Sequence, residues 1–226
     1  MAQINVKVHR SSAISSFSQT GFDSRLSSAD SDLRTVNYVD CHNPPTVPLP
    51  FSGSKPGETP VDENDTTWGI CVFFSPTHDA SALNISSLGL PDPVNNTDDA
   101  NMWKNYHANT YGLVYGDTLY WHVYVVSGLP WEWTWFGPVY DMGLTWNNSN
   151  FTLVRNTANS NVLAHEFGHT GPVYFWMYTT PSPDVAEIHY DWTDPEKNIM
   201  TEDAGSSSKD TDGRYHIDLP AFCLNN

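Results

Sequence analysis

The sequence predicts an α+β domain whose strands come early in the chain and whose chemically informative helix comes late. Apolar runs typical of strands occur at residues 4–9, 67–75 and 119–127. A helical pattern at 159–170 begins at Asn159, which favours a helix start. It ends before Gly171 and Pro172, a pair that favours a helix end.

The elements before this helix are predicted in turn. Residues 4–9 alternate like a first strand, and a helix is expected near 21–36. Its apolar residues recur at helical spacing: Phe22, Leu26, Ala29 and Leu33. Residues 42–67 are rich in Pro, Gly, Asp and Thr, which predicts a long loop.

The middle of the chain is predicted to alternate between strand and loop. Residues 67–75 predict a buried strand, and 119–127 predict an alternating one. The segment 76–110 between them is expected to be a loop. Before the helix, a last strand or a hairpin is expected at 137–144 and 150–155, and a second helix is expected from Pro183.

The charge balance excludes several classes of partner. Ten Lys and Arg residues against 26 Asp and Glu give a net charge of −16. Such a surface repels phosphate backbones, so we expect no nucleic-acid partner. No apolar run approaches the roughly 18 residues of a membrane span. A monomer is favoured.

The cysteines and the glycosylation sequons favour a secreted protein. Cys41, Cys71 and Cys223 allow one disulfide, with three alternative pairings, and leave one thiol. None forms a CxxC pair, which excludes a structural zinc knuckle. Five Asn-x-Ser/Thr sequons begin at Asn64, Asn84, Asn95, Asn147 and Asn150. The first residues alternate like a strand and form no signal peptide, so we expect a leader to have been removed or never to have existed.

The pattern His-Glu-x-x-His lies on the predicted helix at His165, Glu166 and His169. Two histidines at i and i+4 share one helix face, so both imidazoles can bind one metal ion. Leu163 and Phe167 form the opposite stripe, which is expected to face the core. The predicted cofactor is one catalytic Zn²⁺.

The same three residues predict peptide hydrolysis. Zinc with three protein ligands keeps a fourth position for water and lowers the pKa of that water to about 7. Glu166 lies one residue round from the first ligand, where it can accept the water's proton and pass it to the leaving amine. Glu166 is therefore the predicted general base and acid, and His165 and His169 are predicted metal ligands. The expected partner is then a protein or peptide substrate.

Residues 165–170 resemble the zinc helix of metzincin metallopeptidases, and Asn198-Ile199-Met200 resembles their Met-turn. The resemblance implies a twisted mixed β-sheet with helices above a cleft, a small irregular C-terminal lobe below it, and support of the metal site by Met200. It makes residues 1–226 one catalytic domain, with lobes at about 1–171 and 172–226 and the zinc helix at 160–170. It also implies that the last strand before the helix, within 137–155, pairs with an extended substrate.

The third metal ligand departs from the family pattern H-E-x-x-H-x-x-G-x-x-H, which would place a histidine where Phe175 stands. The next histidine is His189, close before the Met-turn, and we favour it as the third ligand. Asp191 is then expected to support a zinc histidine. In the alternative, a gluzincin-type peptidase, Glu187 is the third ligand and Asp191, four residues on, orients a histidine.

The same departure motivates a second alternative, a zinc-stabilised binding module without activity, whose cleft is covered by an insertion at 172–185. The aromatic residues of one short stretch line either a substrate subsite or the core. They are Trp131, Trp133, Trp135, Phe136 and Tyr140. His107 and His122 lack ligand-like spacing and are expected to be structural.

Calcium is a second candidate cation, at loops where carboxylates cluster. These carboxylates are Asp62, Glu63 and Asp65, then Asp98 and Asp99, then Asp210 and Asp212.

Overall fold

The computed structural model describes about half of the chain. It covers residues 2–33, 37–39, 72–78, 82–115, 120–129, 131–134, 137–140, 142–146, 149–170, 199, 207, 209 and 216–218. Its helices are α1 (Gln19–Leu33), α2 (Ile85–Leu88), α3 (Thr97–Thr110) and α4 (Ser160–Gly168). Its strands are β1 (Ala2–Arg10), β2 (Asn37–Val39), β3 (Val72–His78), β4 (Tyr120–Val126), β5 (Trp131–Thr134), β6 (Gly137–Tyr140), β7 (Gly143–Thr145), β8 (Phe151–Arg155) and β9 (His216–Asp218).

Five of the strands form one mixed sheet in the order β3-β1-β4-β8-β7. The pairings β1·β3, β1·β4 and β4·β8 are parallel, whereas β7 runs antiparallel to β8 and lies at the end of this order. Two smaller ladders pair β2 with β9 in parallel and β5 with β6 in antiparallel orientation. The fold is therefore α+β with a mixed sheet, which confirms the predicted class at that level.

Helices cover both faces of the five-stranded sheet. On one face the odd-numbered residues of β4 and the even-numbered residues of β1 pack against α1 and α4. On the other face Tyr124 and Val126 of β4 and Leu153 of β8 pack against α3. β4 is buried on both faces for this reason, so the alternation expected for 119–127 does not become a half-exposed strand.

The prediction for α1 is confirmed, and its four periodic apolar residues are those that it buries. The prediction of a loop over 76–110 is wrong, because this segment contains the end of β3, α2 and the whole of α3. Asn96 caps α3 by accepting a hydrogen bond from the Asp99 backbone N–H at 2.9 Å. Ala100, Trp103 and His107 are its buried face, and the many polar residues between them hide this spacing in the sequence.

The region before α4 contains more strands than predicted, and they belong to different ladders. β6 pairs with β5 in a hairpin of its own, whereas β7 joins the main sheet beside β8. Among the described strands, β7 and β3 are thus the two ends of the sheet, and the last strand before the helix, β8, lies inside it. In the described part of the chain, no helix has the length and apolar character needed to cross a membrane.

Candidate active site

The predicted zinc helix is α4, and its start is capped as predicted. Asn159 adopts an extended backbone conformation, and its side-chain oxygen accepts a hydrogen bond from the Val162 N–H at 3.0 Å. Leu163 and Phe167 are fully buried in the core, which confirms their predicted orientation. The opposite side is covered too, because every residue from 161 to 170 is buried.

The helix ends earlier than predicted, at Gly168, and His169 is its C-cap residue. The backbone N–H of Thr170 donates to the Phe167 carbonyl at 2.9 Å, and the Thr170 hydroxyl donates to the same oxygen at 2.6 Å. Thr170 also forms a parallel bridge with Ser149, next to β8. This bridge draws the chain out of the helix before Gly171, which lies outside the described residues.

The two histidines of the motif converge on one point. Nε2 of His165 lies 3.0 Å from Nε2 of His169, and the ring planes are inclined at 76°. Both side chains are buried, with 7% and 6% of their surface exposed. The i, i+4 spacing therefore has the consequence expected from the sequence.

The orientation of His165 is fixed from behind. Its Nδ1 lies 2.9 Å from the backbone carbonyl oxygen of Ile199. Because a carbonyl oxygen only accepts, the ring carries its proton on Nδ1, and the lone pair of Nε2 faces His169. Metal-binding histidines commonly have this arrangement, in which the second ring nitrogen donates to a carbonyl or carboxylate.

The two nitrogens fit a zinc ion. Two imidazole ligands at about 2.05 Å from a tetrahedral zinc lie about 3.3 Å apart. The observed separation of 3.0 Å requires an opening of only a few tenths of an ångström. Without a metal ion the same contact is a hydrogen bond from Nε2–H of His169 to Nε2 of His165, so a zinc ion would take the place of that proton.

Glu166 is buried and faces the edge strand β7. Only 4% of its side chain is exposed, and its Oε2 accepts a hydrogen bond of 2.6 Å from the Thr145 hydroxyl. Gly143, two residues earlier on the same strand, lies against the rest of the carboxyl group. A Cβ atom at Gly143 would lie 2.5 Å from Cγ and Cδ of Glu166 and would overlap Oε1. The strand thus contacts the carboxyl group at two points, Thr145 and Gly143.

The remaining predicted ligands and supporting residues lie outside the described residues. These are Glu187, His189, Asp191 and Met200. Ile199, the residue before Met200, is described, and it is fully buried in the core that includes α4. Within the part of the chain that the structure describes, no three His, Cys, Asp or Glu side chains are placed to hold a metal ion. His165 and His169 thus place two nitrogens where one ion could bind, and their role as ligands, like both candidates for the third ligand, stays a prediction.

Other predictions from the sequence have different outcomes. Asp98 and Asp99 lie in the first turn of α3 and not in a loop, so the expected calcium loop is not present there. The cysteines and the other acidic clusters lie outside the described ranges. Trp131 pairs in register with Tyr140 across the β5–β6 hairpin, whereas the proposed aromatic subsite stays a prediction. The sequon at Asn150 is buried, so the folded chain does not present it to a glycosylating enzyme.

Sequence reasoning missed a second group of buried histidines on the other face of the sheet. Nε2 of His9 lies 3.2 Å from Nδ1 of His122, and the ring of His107 lies 4.8 Å from that of His122. His107 also contacts the Tyr124 hydroxyl at 2.9 Å and Oδ1 of Asn150 at 3.1 Å. The three histidines come from β1, α3 and β4, so their sequence spacing contained no signal.

Burial keeps these three histidines neutral. Desolvation is the main cause that lowers the pKa of His9 to about 3, with smaller contributions from His122, Lys7 and His107. Desolvation likewise lowers the pKa of His122 to about 3, and it lowers that of His107. This group is packed in the core, in agreement with the structural roles expected for His107 and His122.

No protein-family model matches the chain, and no curated protein matches it at a significant level. The function is therefore argued from the residues of the site.

Proposed function

We propose that the protein is a zinc-dependent endopeptidase with a metzincin-like fold, in which His165, His169 and His189 bind zinc. The observation that carries this proposal is the 3.0 Å approach of the two Nε2 atoms on a helix that also carries the buried Glu166. A bound zinc ion would polarise the peptide carbonyl and make a water molecule nucleophilic at neutral pH.

Glu166 acts as the general base and then as the general acid. Its carboxylate takes a proton from the attacking water and transfers it to the leaving amine, which is the usual role of a carboxylate placed this way. One face of the carboxyl group is held by β7, through Thr145 and Gly143. The base is consequently oriented before substrate arrives, and the reaction requires no rearrangement of its side chain.

The edge strand β7 is the proposed docking strand for an extended peptide. It ends the order of the five-stranded sheet, and it carries Thr145, which contacts the catalytic base. Pairing of a substrate with such an edge uses backbone hydrogen bonds, so it places a peptide carbonyl near the base without selecting a sequence. This position refines the expected substrate strand from the range 137–155 to Gly143–Thr145.

The Met-turn is the proposed floor of the site. The hydrogen bond from Nδ1 of His165 to the Ile199 carbonyl connects the zinc helix to the residue that precedes Met200. It supports the part of the resemblance that depends on Asn198-Ile199-Met200. His189 lies ten positions before Ile199, closer to it along the sequence than any other histidine.

The experiment that tests the proposal measures zinc content and peptide cleavage in the same preparation, purified without chelator or nickel resin. We expect about one zinc ion per chain and chelator-sensitive cleavage of a peptide library. Glu166→Ala should retain the zinc and lose 10²- to 10⁴-fold in kcat, the usual contribution of a general base. Asp98→Ala, which removes an exposed carboxylate in the first turn of α3, is the matched control and should keep full activity.

Each unfavourable result has a distinct meaning. Undiminished cleavage by Glu166→Ala would contradict the proposed mechanism. A chain that binds no zinc after reconstitution would contradict the proposal that the protein is a zinc peptidase. One zinc per chain without cleavage of any peptide would instead favour the inactive binding module. The sequons and the cysteines lead us to propose secretion as well, and glycan analysis of the protein from its natural source tests that part.

A further inference from the structure

We propose that Thr145 is a positioning residue for the catalytic base, and that it acts at the end of a hydrogen-bond chain that begins at the Trp121 indole. This inference rests on the proposed function, because it assigns the orientation of Glu166 to residues outside the motif. Thr145 contacts Glu166 and is not expected to contact substrate atoms that react. It is therefore distinct from the catalytic residues.

The chain consists of three short hydrogen bonds across three neighbouring strands. Nε1 of Trp121 on β4 donates to Oγ1 of Thr152 on β8 at 2.7 Å. Oγ1 of Thr152 lies 2.7 Å from Oγ1 of Thr145 on β7, its register partner in the antiparallel ladder. Oγ1 of Thr145 lies 2.6 Å from Oε2 of Glu166 on α4.

The direction of the chain follows from what each group is able to donate. An indole N–H can only donate, so the Thr152 oxygen accepts from Trp121. A carboxylate can only accept, so the Thr145 hydrogen points to Glu166. The one remaining hydrogen, on Thr152, therefore points to the Thr145 oxygen. Every bond is directed toward the carboxylate, and bonds aligned in this way polarise and strengthen one another.

Burial holds this series of hydrogen bonds in one arrangement. Trp121 and Thr152 are both fully buried, and the Trp121 ring packs against Phe167 of α4 with centroids 5.2 Å apart. A buried hydroxyl or indole N–H without a hydrogen-bond partner is unfavourable, so neither group is free to turn away. The Thr145 hydroxyl is consequently held in one rotamer, and it holds Oε2 of Glu166 in turn.

Gly143 is the second contact of β7 with the Glu166 side chain. Because Cγ and Cδ of Glu166 would lie 2.5 Å from a Cβ at this position, the glycine leaves the space that the carboxylate occupies. Thr145 donates a hydrogen bond to Oε2 of Glu166, and the lack of a side chain at Gly143 leaves room for Oε1. β7 therefore fixes the orientation of the Glu166 carboxylate and how closely the carboxylate approaches the strand.

The test compares Thr145→Val, which removes the hydroxyl at constant shape, with Thr145→Ser, which keeps it. We expect Thr145→Val to lower kcat by about 10- to 100-fold, the range associated with a displacement of about 1 Å in an active site. KM and zinc stoichiometry should change little, whereas the melting temperature should fall modestly, because the buried Thr152 hydroxyl loses its acceptor. Thr145→Ser should recover kcat to within about threefold of the parent, because it restores the same donor. Thr152→Val should resemble Thr145→Val more weakly.

A second readout is independent of activity. Crystal structures of the zinc-loaded parent and both variants should show the Glu166 carboxylate displaced or split only in Thr145→Val. The indole N–H resonance of Trp121 should move upfield in Thr152→Val. Equal kcat in the parent and Thr145→Val, or an unmoved carboxylate, would overturn the positioning role. If the parent cleaves no peptide, the proposed function fails, and the carboxylate position still decides whether Thr145 orients Glu166.

Discussion

The imidazole of His165 donates a hydrogen bond to the backbone carbonyl of Ile199, which lies 34 positions further along the chain. The contact joins the middle of α4 to the residue before Met200. It orients a proposed metal ligand through a peptide group, so the identity of the side chain at position 199 matters less than the course of its backbone. His189 and Glu187, the two candidates for the third ligand, both lie between these two points in the sequence.

The choice between His189 and Glu187 leads to a first prediction. His189→Ala should weaken zinc binding by more than about 100-fold, because loss of a direct ligand exceeds the 10- to 100-fold cost of losing a group behind one. Glu187→Ala should leave zinc binding within about threefold of the parent. Competition with a chromophoric chelator measures both constants, and the opposite pattern would assign the protein to the gluzincin type.

Gly143 gives a second prediction. Gly143→Ala should keep the fold and lower kcat at least about 10-fold, because the new methyl group occupies the place of the Glu166 carboxylate. The clash also predicts a coupling between the two positions. Gly143→Ala should lower the melting temperature less in a Glu166→Ala background than in the parent, since the alanine leaves room for the added methyl group. Equal losses in both backgrounds would contradict the contact.

The buried histidines His9 and His122 predict how stability changes with pH. Their pKa values are about 3 in the folded chain and about 6.5 in the unfolded chain. Below pH 6.5 the unfolded state therefore binds more protons than the folded state, and the free energy of unfolding falls as pH falls toward 3. Lys7, whose Nζ lies over the Tyr111 ring, adds a positive charge that lowers the pKa values of both histidines further.

Urea unfolding between pH 4 and 6 measures this slope. His9→Phe keeps a ring against Tyr124, which His9 stacks on at 4.4 Å, and removes one titrating group. The slope should decrease by about 1.4 kcal/mol per pH unit in this variant. Above pH 7 the parent and the variant should have parallel profiles, because both histidines are then neutral in both states. An unchanged slope at acid pH would show that His9 titrates normally in the folded chain.

The cap of the zinc helix gives a fourth prediction. Asn159→Ala should lower the free energy of unfolding by about 1 kcal/mol, because the Val162 N–H loses its acceptor. Asn159→Asp keeps an acceptor at the same place and should be close to the parent. Denaturant unfolding of the three proteins compares them directly. A loss in the aspartate variant as large as that in the alanine variant would indicate that the cap is not the source of the effect.

Local pattern was sufficient to predict α1 and the start of α4. The four apolar residues of α1 recur at helical spacing, and Asn159 has a cap preference that needs no tertiary context. α3 was missed because only three of its residues are buried, and one of these is His107. Asn96 followed by Asp98 and Asp99, a cap and two acidic residues in the first turn, was the signal that could have predicted it.

The candidate site was likewise predictable from the sequence only in part. His165, Glu166 and His169 lie within one helix, so their relative positions follow from helix geometry alone. Thr145 and Gly143 touch Glu166 only because the antiparallel pairing of β7 with β8 brings the strand over α4. Such a contact depends on sheet register, which no local pattern around residue 145 or 166 contains.

The strand order has a consequence for how the chain assembles. β1 lies between β3 and β4, so Ala2 pairs with Val72 and Asn5 pairs with Tyr120. During synthesis, the first strand of the sheet must wait for both neighbours, with Ile4, Val6 and Val8 unshielded on one face. α1 follows directly and packs against that same face. A nascent β1–α1 unit can therefore cover its apolar side long before its strand partners leave the ribosome.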